Sequence, residues 1–219
     1  MGLSLDRRHF IALGLAGTAM GAWATLITTA TPAKNQKILV LGDSLSAEYG
    51  LKRGTGWVAL LEIRLKAEKL DAVVVNASIS GETTSGGRSR LGALLSQHRP
   101  SHVVIELGGN DALRGLPLSL TEDNLSQMTQ TAQKAGASVL LAGMQVPPNY
   151  SRDYADRFAA MFAAVAKAYK AALVPFLLAG VSDGPDPTQL FQADRIHPTE
   201  AAHPIILANV WPALRKILK

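Results

Sequence analysis

The chain has 219 residues, of which 47% are hydrophobic, enough to bury the core of one domain. It contains no cysteine, so disulfides, thiolate metal sites and a cysteine nucleophile are excluded. The formal net charge is +5, but basic residues never run beyond a pair and aromatic residues make up only 5%, which argues against nucleic-acid binding.

The N-terminal segment has the pattern of an export signal. Arg7-Arg8 precede an apolar stretch at 10–27, and small residues follow up to Ala33. A charged start, an apolar centre and small residues near a cleavage point describe a secretory signal, and paired arginines are typical of the twin-arginine route. We therefore predict a signal at 1–33, a mature domain at 34–219 and a periplasmic or secreted protein. The alternative is an uncleaved segment that anchors the protein in the inner membrane.

From residue 38 onwards, short apolar runs alternate with stretches of helical periodicity. The runs predict five strands, at 38–41, 72–75, 102–107, 138–142 and 173–178. Helices are predicted at 54–70, 86–98, 119–135 and 151–172, and from 199 towards the end of the chain. Strands that alternate with helices form a parallel sheet covered on both faces, so we predict a single three-layer α/β/α domain.

Local signals mark where some of these elements begin and end. Ser119-Leu120-Thr121-Glu122 has the spacing of a capping box and predicts the start of the third helix. Pro175 interrupts the last strand, which is typical of the edge of a sheet. Pro212 is expected to kink or end the last helix.

Polar residues follow the strands at the points where parallel sheets bind their ligands. Ser44 follows the first strand, Gly81 the second and Asn110 the third, while His197 lies in the connection after the fifth. Right-handed crossovers bring all these segments to one edge of the sheet. With a strand order of 2-1-3-4-5, the first three segments surround the point where the strand order reverses.

These residue types suit nucleophilic catalysis. Ser44 is a candidate nucleophile, although its local sequence alone is also typical of a helix N-cap. His197 is the candidate base, and Asp194, three residues earlier, is expected to orient the imidazole. The backbone N–H groups of Ser44 and Gly81 and the side-chain amide of Asn110 are candidate donors to an oxyanion.

Other residues give further expectations for the site. The aspartates at 183, 186 and 194 lack the spacing of a calcium loop, so no metal site is predicted. His203, early in the last helix, is a candidate for the rim of the site. Apolar residues in loops at the same edge are expected to line a groove for an acyl chain, with simple loop packing as the alternative: Leu113, Leu116, Met144, Val146 and Pro147.

Four blocks of the chain together resemble the SGNH (GDSL-type) hydrolases. They are Gly42-Asp43-Ser44-Leu45, Gly81, Gly109-Asn110-Asp111 and Asp194-Arg195-Ile196-His197, in the order and spacing of that family. Within it, the strings GDSLSAEYG, NASISGETT and ELGGNDALRG are similar to the bacterial multifunctional acyl-CoA thioesterase I, lysophospholipase and arylesterase group. The resemblance extends over residues 37–218.

The resemblance implies a flavodoxin-like sheet of five parallel strands in the order 2-1-3-4-5. It implies a catalytic triad of Ser44, His197 and Asp194. It also implies an oxyanion hole made by Ser44, Gly81 and Asn110. The implied reaction is hydrolysis of acyl esters and thioesters through an acyl-enzyme, without a cofactor.

The resemblance further implies that Asp43 and Asp111 order the loops around the site. Glu82 and His203 depart from residues frequent in the group, but both lie outside the four blocks. The expected substrate is a small acyl ester, thioester or lysophospholipid. No nucleic-acid partner is expected, and no stable membrane partner once the signal is removed. The expected oligomeric state is a monomer. Two alternatives remain: a carbohydrate acetylesterase of the same superfamily, and a catalytically dead lipid-binding module.

Overall fold

A five-stranded parallel sheet forms the centre of the molecule. The computed structural model of the protein describes residues 36–218, and the predicted signal at 1–33 lies outside them. The strands are β1 Gln36–Gly42, β2 Ala72–Asn76, β3 His102–Glu106, β4 Ser138–Ala142 and β5 Ala172–Val174. They pair in parallel in the order β2-β1-β3-β4-β5, which confirms the predicted sheet.

Helices cover both faces of this sheet. Within residues 36–218 they are α1 Trp57–Ala67, α2 Thr84–His98, α3 Gly109–Leu113, α4 Leu118–Lys134, α5 Arg152–Tyr169 and α6 His203–Ile217. The connection from β1 to β2 moves towards one edge of the sheet, and the connection from β2 to β3 moves back towards the other edge. Because both connections are right-handed, α1 and α2 lie on opposite faces of the sheet. Accordingly, α1 packs against α6, and α4 packs against both α2 and α5. None of the helices in the described part of the chain is long and apolar enough to span a membrane.

The core is deepest along β1 and β3. The side chains of Ile38, Leu39, Val40 and Leu41 are fully buried, because helices cover the central strands on both faces. Every residue of β3 is buried as well, including Glu106 at its carboxyl end. A rigid pair of central strands therefore ends in the two segments that carry Ser44 and Asn110.

Two signals in the sequence do not mark the ends of helices. The capping box at 119–122 does not open α4, which begins at Leu118 with Pro117 as its N-cap. Pro117, with φ −59°, already directs the chain into the helix, and the Thr121 hydroxyl lies 3.4 Å from Asp111 Oδ1. The last helix does not end at Pro212 but continues to Ile217, because α6 buries apolar side chains on both sides of the proline.

Two further differences lie at the edge that carries the polar segments. No helix is predicted at 109–113 from the sequence, but α3 begins there shortly after β3 and includes Asn110 and Asp111. The last strand is shorter than predicted: β5 ends at Val174, directly before Pro175, and lies at the edge of the sheet as expected. The short helix carries Asn110, one of the candidate donors from the sequence analysis.

Candidate active site

Ser44 lies in a tight turn directly after β1. The carbonyl of Asp43 accepts hydrogen bonds from the N–H groups of Ser46 (3.2 Å) and Ala47 (3.0 Å), so the chain curls back as soon as the strand ends. The Asp43 carboxyl accepts a further bond from Leu45 N–H at 3.0 Å. These contacts hold the half-buried Ser44 side chain at the carboxyl edge of the sheet, where it lines a cavity.

His197 and Asp194 complete a hydrogen-bonded chain with this serine. Nε2 of His197 lies 2.9 Å from Ser44 Oγ, although the two residues are 153 positions apart in the sequence. Nδ1 of the same imidazole lies 2.6 Å from Asp194 Oδ2. The other carboxylate oxygen accepts the backbone N–H groups of Ile196 and His197, at 2.9 and 3.0 Å. The three side chains therefore have the mutual geometry of a nucleophile, a base and an orienting carboxylate.

The hydrogen bonds of Asp194 determine which imidazole nitrogen can act as a base. The backbone N–H of His197 and, after it, the imidazole lower the pKa of Asp194 to about 2. At neutral pH this carboxylate is ionised and can only accept hydrogen bonds, so the proton of a neutral imidazole belongs on Nδ1. Nε2 then carries the lone pair and faces the Ser44 hydroxyl.

Three hydrogen-bond donors lie near the serine. Asn110, on α3, donates from Nδ2 to Asp43 Oδ2 at 3.0 Å, which leaves its second amide hydrogen for another acceptor. Within residues 36–218, neither Ser44 N–H nor Gly81 N–H donates to another protein group. The carbonyl of Gly81 accepts a 2.7 Å bond from Arg114 Nη2, which ties the glycine to the end of α3.

A buried pair of carboxyl groups lies beneath the serine turn. Glu106 Oε2 accepts Ser46 Oγ–H at 2.7 Å and Asp43 N–H at 3.2 Å, and Trp57 Nε1 donates to Ser46 Oγ at 3.2 Å. A side chain at Gly42 would place its Cβ 2.7 Å from Glu106 Oε2, so the close approach requires glycine. Glu106 is not among the site residues predicted from the sequence. The signal for it there is an acidic residue at the end of a mostly apolar strand.

Burial changes the ionisation of both carboxyl groups. It raises the pKa of Asp43 to about 6, against the lowering effect of the hydrogen bonds from Leu45 and Asn110. Burial and, after it, the charge of Asp43 raise the pKa of Glu106 well above its usual range. The two groups cannot both be ionised at low cost in this environment, so Glu106 is the one that retains its proton.

Asp111 holds the segment that carries Gly81. Its carboxylate accepts the N–H of Thr84 at 2.9 Å and also the Thr84 hydroxyl. Both residues are buried, and Thr84 is the first residue of α2. Asp111 thus links α3 to the beginning of α2, three residues after Gly81.

The cavity beside Ser44 has a volume of about 980 Å³ and a mostly apolar wall. Four of the five residues predicted for an acyl groove line it: Leu113, Met144, Val146 and Pro147. Leu116 does not line it and is half-buried, with its backbone N–H bonded to the Asp111 carbonyl. The turn after α3 directs Leu116 away from the cavity, so the expectation for this residue is wrong.

His203 does not lie at the rim of the site. It is 1% exposed, and its Nδ1 accepts the backbone N–H of Trp57 at 3.0 Å, which joins α6 to α1. Burial lowers the pKa of His203, consistent with a neutral structural imidazole. Instead, Tyr49 lies next to the site, its ring 4.3 Å from the His197 ring between centroids. Within residues 36–218 no group of His, Cys, Asp and Glu side chains has an arrangement suited to a metal ion.

The chain is similar to known proteins over most of its length. Residues 40–205 match the profile of the GDSL-like lipase/acylhydrolase family. The chain is similar to esterase TesA of Pseudomonas aeruginosa, with 50% identity over 88% of this chain and 94% of that protein. It is also similar to thioesterase 1/protease 1/lysophospholipase L1 of Escherichia coli K12, with 41% identity over 83% of this chain and 84% of that protein.

A solved structure has the same fold. The psychrotrophic esterase EstA from a Pseudoalteromonas species, in a structure inhibited by monoethylphosphonate, superposes with a TM-score of 0.77 and 41% sequence identity. The match covers 84% of this chain and 98% of that one. The similarity therefore spans the sheet, its helices and all four segments that meet at Ser44.

Proposed function

The chain belongs to the GDSL-like lipase/acylhydrolase family, and from this we propose that it cleaves acyl esters and thioesters by a serine mechanism with an acyl-enzyme intermediate. The observation that carries the proposal is the hydrogen-bonded chain from Ser44 through His197 to Asp194, at 2.9 and 2.6 Å, beside an apolar cavity. A hydroxyl needs an adjacent base to become a nucleophile at neutral pH, and Nε2 of His197 is that base.

In the proposed first half-reaction, Ser44 Oγ attacks the acyl carbonyl carbon while Nε2 of His197 takes the hydroxyl proton. Asp194 stabilises the imidazolium that forms. The N–H groups of Ser44 and Gly81 and the Asn110 amide donate to the oxyanion of the tetrahedral intermediate. The imidazolium then protonates the leaving alcohol or thiol, which leaves the acyl group on Ser44.

In the second half-reaction, His197 removes a proton from water, and the hydroxide attacks the acyl carbon. Collapse of this intermediate returns the proton to Ser44 Oγ and releases the acid. Every proton moves between Ser44, the imidazole, the substrate and water, so the proposed cycle balances without a cofactor.

The test is the substitution Ser44→Ala. We expect it to abolish hydrolysis of p-nitrophenyl esters and labelling by a fluorophosphonate, since the atom that forms the covalent bond is missing. The melting temperature is expected to stay near that of the wild type, because the Ser44 hydroxyl makes no contact that the turn needs. Full hydrolytic activity in this variant would refute the mechanism, and a wild-type protein that neither hydrolyses esters nor reacts with the probe would support a dead lipid-binding module.

The apolar cavity favours acyl chains longer than acetyl. A volume of about 980 Å³ is far more than an acetyl group needs, and the apolar wall favours hydrocarbon over sugar hydroxyls. The preferred substrates in this proposal are therefore medium-chain or long-chain esters, thioesters and lysophospholipids. A strict preference for acetyl esters of sugars would favour the carbohydrate acetylesterase instead.

We also propose that the enzyme acts outside the cytoplasm. The support is the sequence at 1–33, with Arg7-Arg8 ahead of an apolar segment and small residues before residue 34. In that location, lysophospholipids and environmental esters are more accessible substrates than cytosolic thioesters.

A further inference from the structure

The segment that carries His197 is a narrow turn. Gln192 N–H donates to the His197 carbonyl at 2.7 Å, and Arg195 N–H donates to the Gln192 carbonyl at 2.9 Å. Next to these bonds, Phe191 and Pro198 form an antiparallel bridge. Asp194 and the imidazole therefore lie at the tip of a closed loop of chain, and the position of that loop decides where Nε2 lies.

The side chain of Gln192 joins this turn to the turn that carries Ser44. Its Nε2 donates to the Tyr49 carbonyl at 2.9 Å and to the Pro198 carbonyl at 3.0 Å. Tyr49 belongs to the serine turn, and Pro198 directly follows His197. One amide thus uses both of its hydrogens to hold the two segments together.

The serine turn leaves space for this amide. A Cβ at Gly50 would collide with Gln192 Oε1, so the glutamine amide packs closely against a residue that has no side chain. Gly50 also has φ +69°, a conformation in which glycine carries little strain. The glycine in the serine turn therefore allows the Gln192 amide to approach the backbone closely.

We propose that Gln192 is a positioning residue that keeps His197 in register with Ser44 through both half-reactions. The inference rests on the proposed serine mechanism. The Ser44–His197 hydrogen bond cannot hold this register by itself, because it is lost when the serine is acylated. The bonds of Gln192 involve no reacting atom, so they persist in the acyl-enzyme, when His197 must activate water.

The first test is Gln192→Met, which keeps the size of the side chain and removes both hydrogen bonds. Because small displacements of a catalytic base are costly, we expect kcat to fall by about tenfold to a hundredfold, with a smaller change in KM. Acyl-enzyme accumulation, measured as a burst of p-nitrophenol, is expected to increase, since deacylation depends wholly on the register that Gln192 maintains. Rates are normalised to the fraction of sites that a fluorophosphonate labels.

The matched control is Gln133→Met. Gln133 is also half-buried, and its Nε2 donates to a distant backbone carbonyl, that of Tyr169, at 2.7 Å between α4 and α5. We expect a loss of melting temperature similar to that of Gln192→Met but no loss of kcat. Equal kcat in the Gln192 variant and the wild type, or an equal kcat loss in both variants, would overturn the proposal.

A second variant, Gln192→Glu, adds a readout that a purely structural role would not change. A protonated carboxyl has one O–H donor, whereas a carboxylate has none and repels the two carbonyl oxygens. The ratio of kcat/KM between the variant and the wild type is therefore expected to rise as the pH is lowered from about 8 to about 5, across the range in which a carboxyl with a raised pKa titrates. A ratio that stays flat would count against the proposal.

Failure of the serine mechanism is distinguishable from failure of this inference. If Ser44→Ala remains active, the mechanism and the role of Gln192 fall together. If Ser44→Ala is inactive and Gln192→Met is as fast as the wild type, only the role of Gln192 is refuted.

Discussion

At the scale of single residues, the least expected feature is the buried carboxyl group of Glu106 under the turn that carries Ser44, the proposed nucleophile. Glu106 accepts the Ser46 hydroxyl and the Asp43 N–H while burial keeps its pKa high. An ionised carboxylate in this position would face the charge of Asp43 in a dry environment. A neutral Glu106 instead supports the serine turn through these two hydrogen bonds without adding a second buried charge.

The raised pKa values predict how stability depends on pH. The folded protein binds these protons more tightly than the unfolded chain, so the stabilisation is complete below pH 3.8 and is lost as the pH rises through about 6, the pKa of Asp43. In Glu106→Gln, the amide oxygen still accepts both hydrogen bonds but no longer titrates. We expect the loss of unfolding free energy between about pH 4.5 and pH 7.5 to shrink by about 1–2 kcal/mol, measured by urea denaturation.

The matched control is Glu122→Gln on the exposed side of α4, which also removes an acidic group but lies outside the buried pair. Asp194 contributes with the opposite sign, because its pKa of about 2 is lowered and its stabilisation disappears only as the pH falls below 3.8. His203, whose pKa is lowered by burial, is present in both proteins, so its contribution cancels when they are compared. The difference above about pH 4 therefore reports on the buried pair. An unchanged pH dependence in Glu106→Gln would show that Glu106 does not control it.

At the scale of elements, the short helix α3 connects the proposed oxyanion donor Asn110 to the cavity. It carries Asn110 towards Ser44, holds Asp111 against the start of α2 and directs Leu113 into the cavity wall. The helix was not predicted because five residues give too little periodicity to identify one. Its Asp111 accepts the N–H of Thr84, a contact between residues 27 positions apart that no local pattern in the sequence indicates.

The substitution Leu113→Ala tests whether α3 contributes to binding of the acyl chain. Leu113 is 50% exposed and lines the cavity, so Leu113→Ala removes apolar area that a long acyl chain would cover and an acetyl group would not reach. We expect kcat/KM for decanoyl esters to fall by about fivefold to thirtyfold, corresponding to about 1–2 kcal/mol of lost apolar contact, with little change for acetyl esters.

Leu120→Ala is the matched control for this measurement. Leu120 is 42% exposed on α4 and does not line the cavity, so its loss is expected to leave both substrates unaffected. Equal losses on decanoyl and acetyl esters in Leu113→Ala would mean that the residue does not contact the acyl chain.

At the scale of the whole molecule, the chain combines a fold that needs no disulfide with a sequence typical of export. The absence of cysteine lets the domain fold before or after it leaves the cytoplasm. Either compartment is therefore compatible with the assembled site, and the N-terminal sequence alone carries the proposal of export.

Processing of the N-terminus tests that proposal. We expect the mature protein from the periplasmic fraction to begin close to residue 34, and replacement of both Arg7 and Arg8 by lysine to keep the full-length chain in the cytoplasm. Arg215→Lys, at the far end of the chain, serves as the control for loss of an arginine. A full-length, active protein in the membrane fraction would favour the uncleaved anchor.

The sequence by itself determined the sheet and the meeting point of its polar segments. Apolar periodicity is a local property and can be recognised in the sequence. Right-handed connections between parallel strands then bring Ser44, Asn110 and His197 to the same edge of the sheet. The alternation of strands and helices therefore predicted the architecture, and the resemblance carried by four short blocks implied the strand order and the residues of the site.

Only the tertiary structure decided what supports those residues. Glu106 meets the serine turn across 63 positions and Gln192 meets it across 143, and neither contact leaves a periodicity or a spacing in the sequence. The position of Leu116 was also decided by the tertiary structure. Its apolar character predicted that it lines the cavity, but it does not. Such contacts depend on side-chain directions set by packing, and packing becomes defined only when the sheet and its helices have assembled.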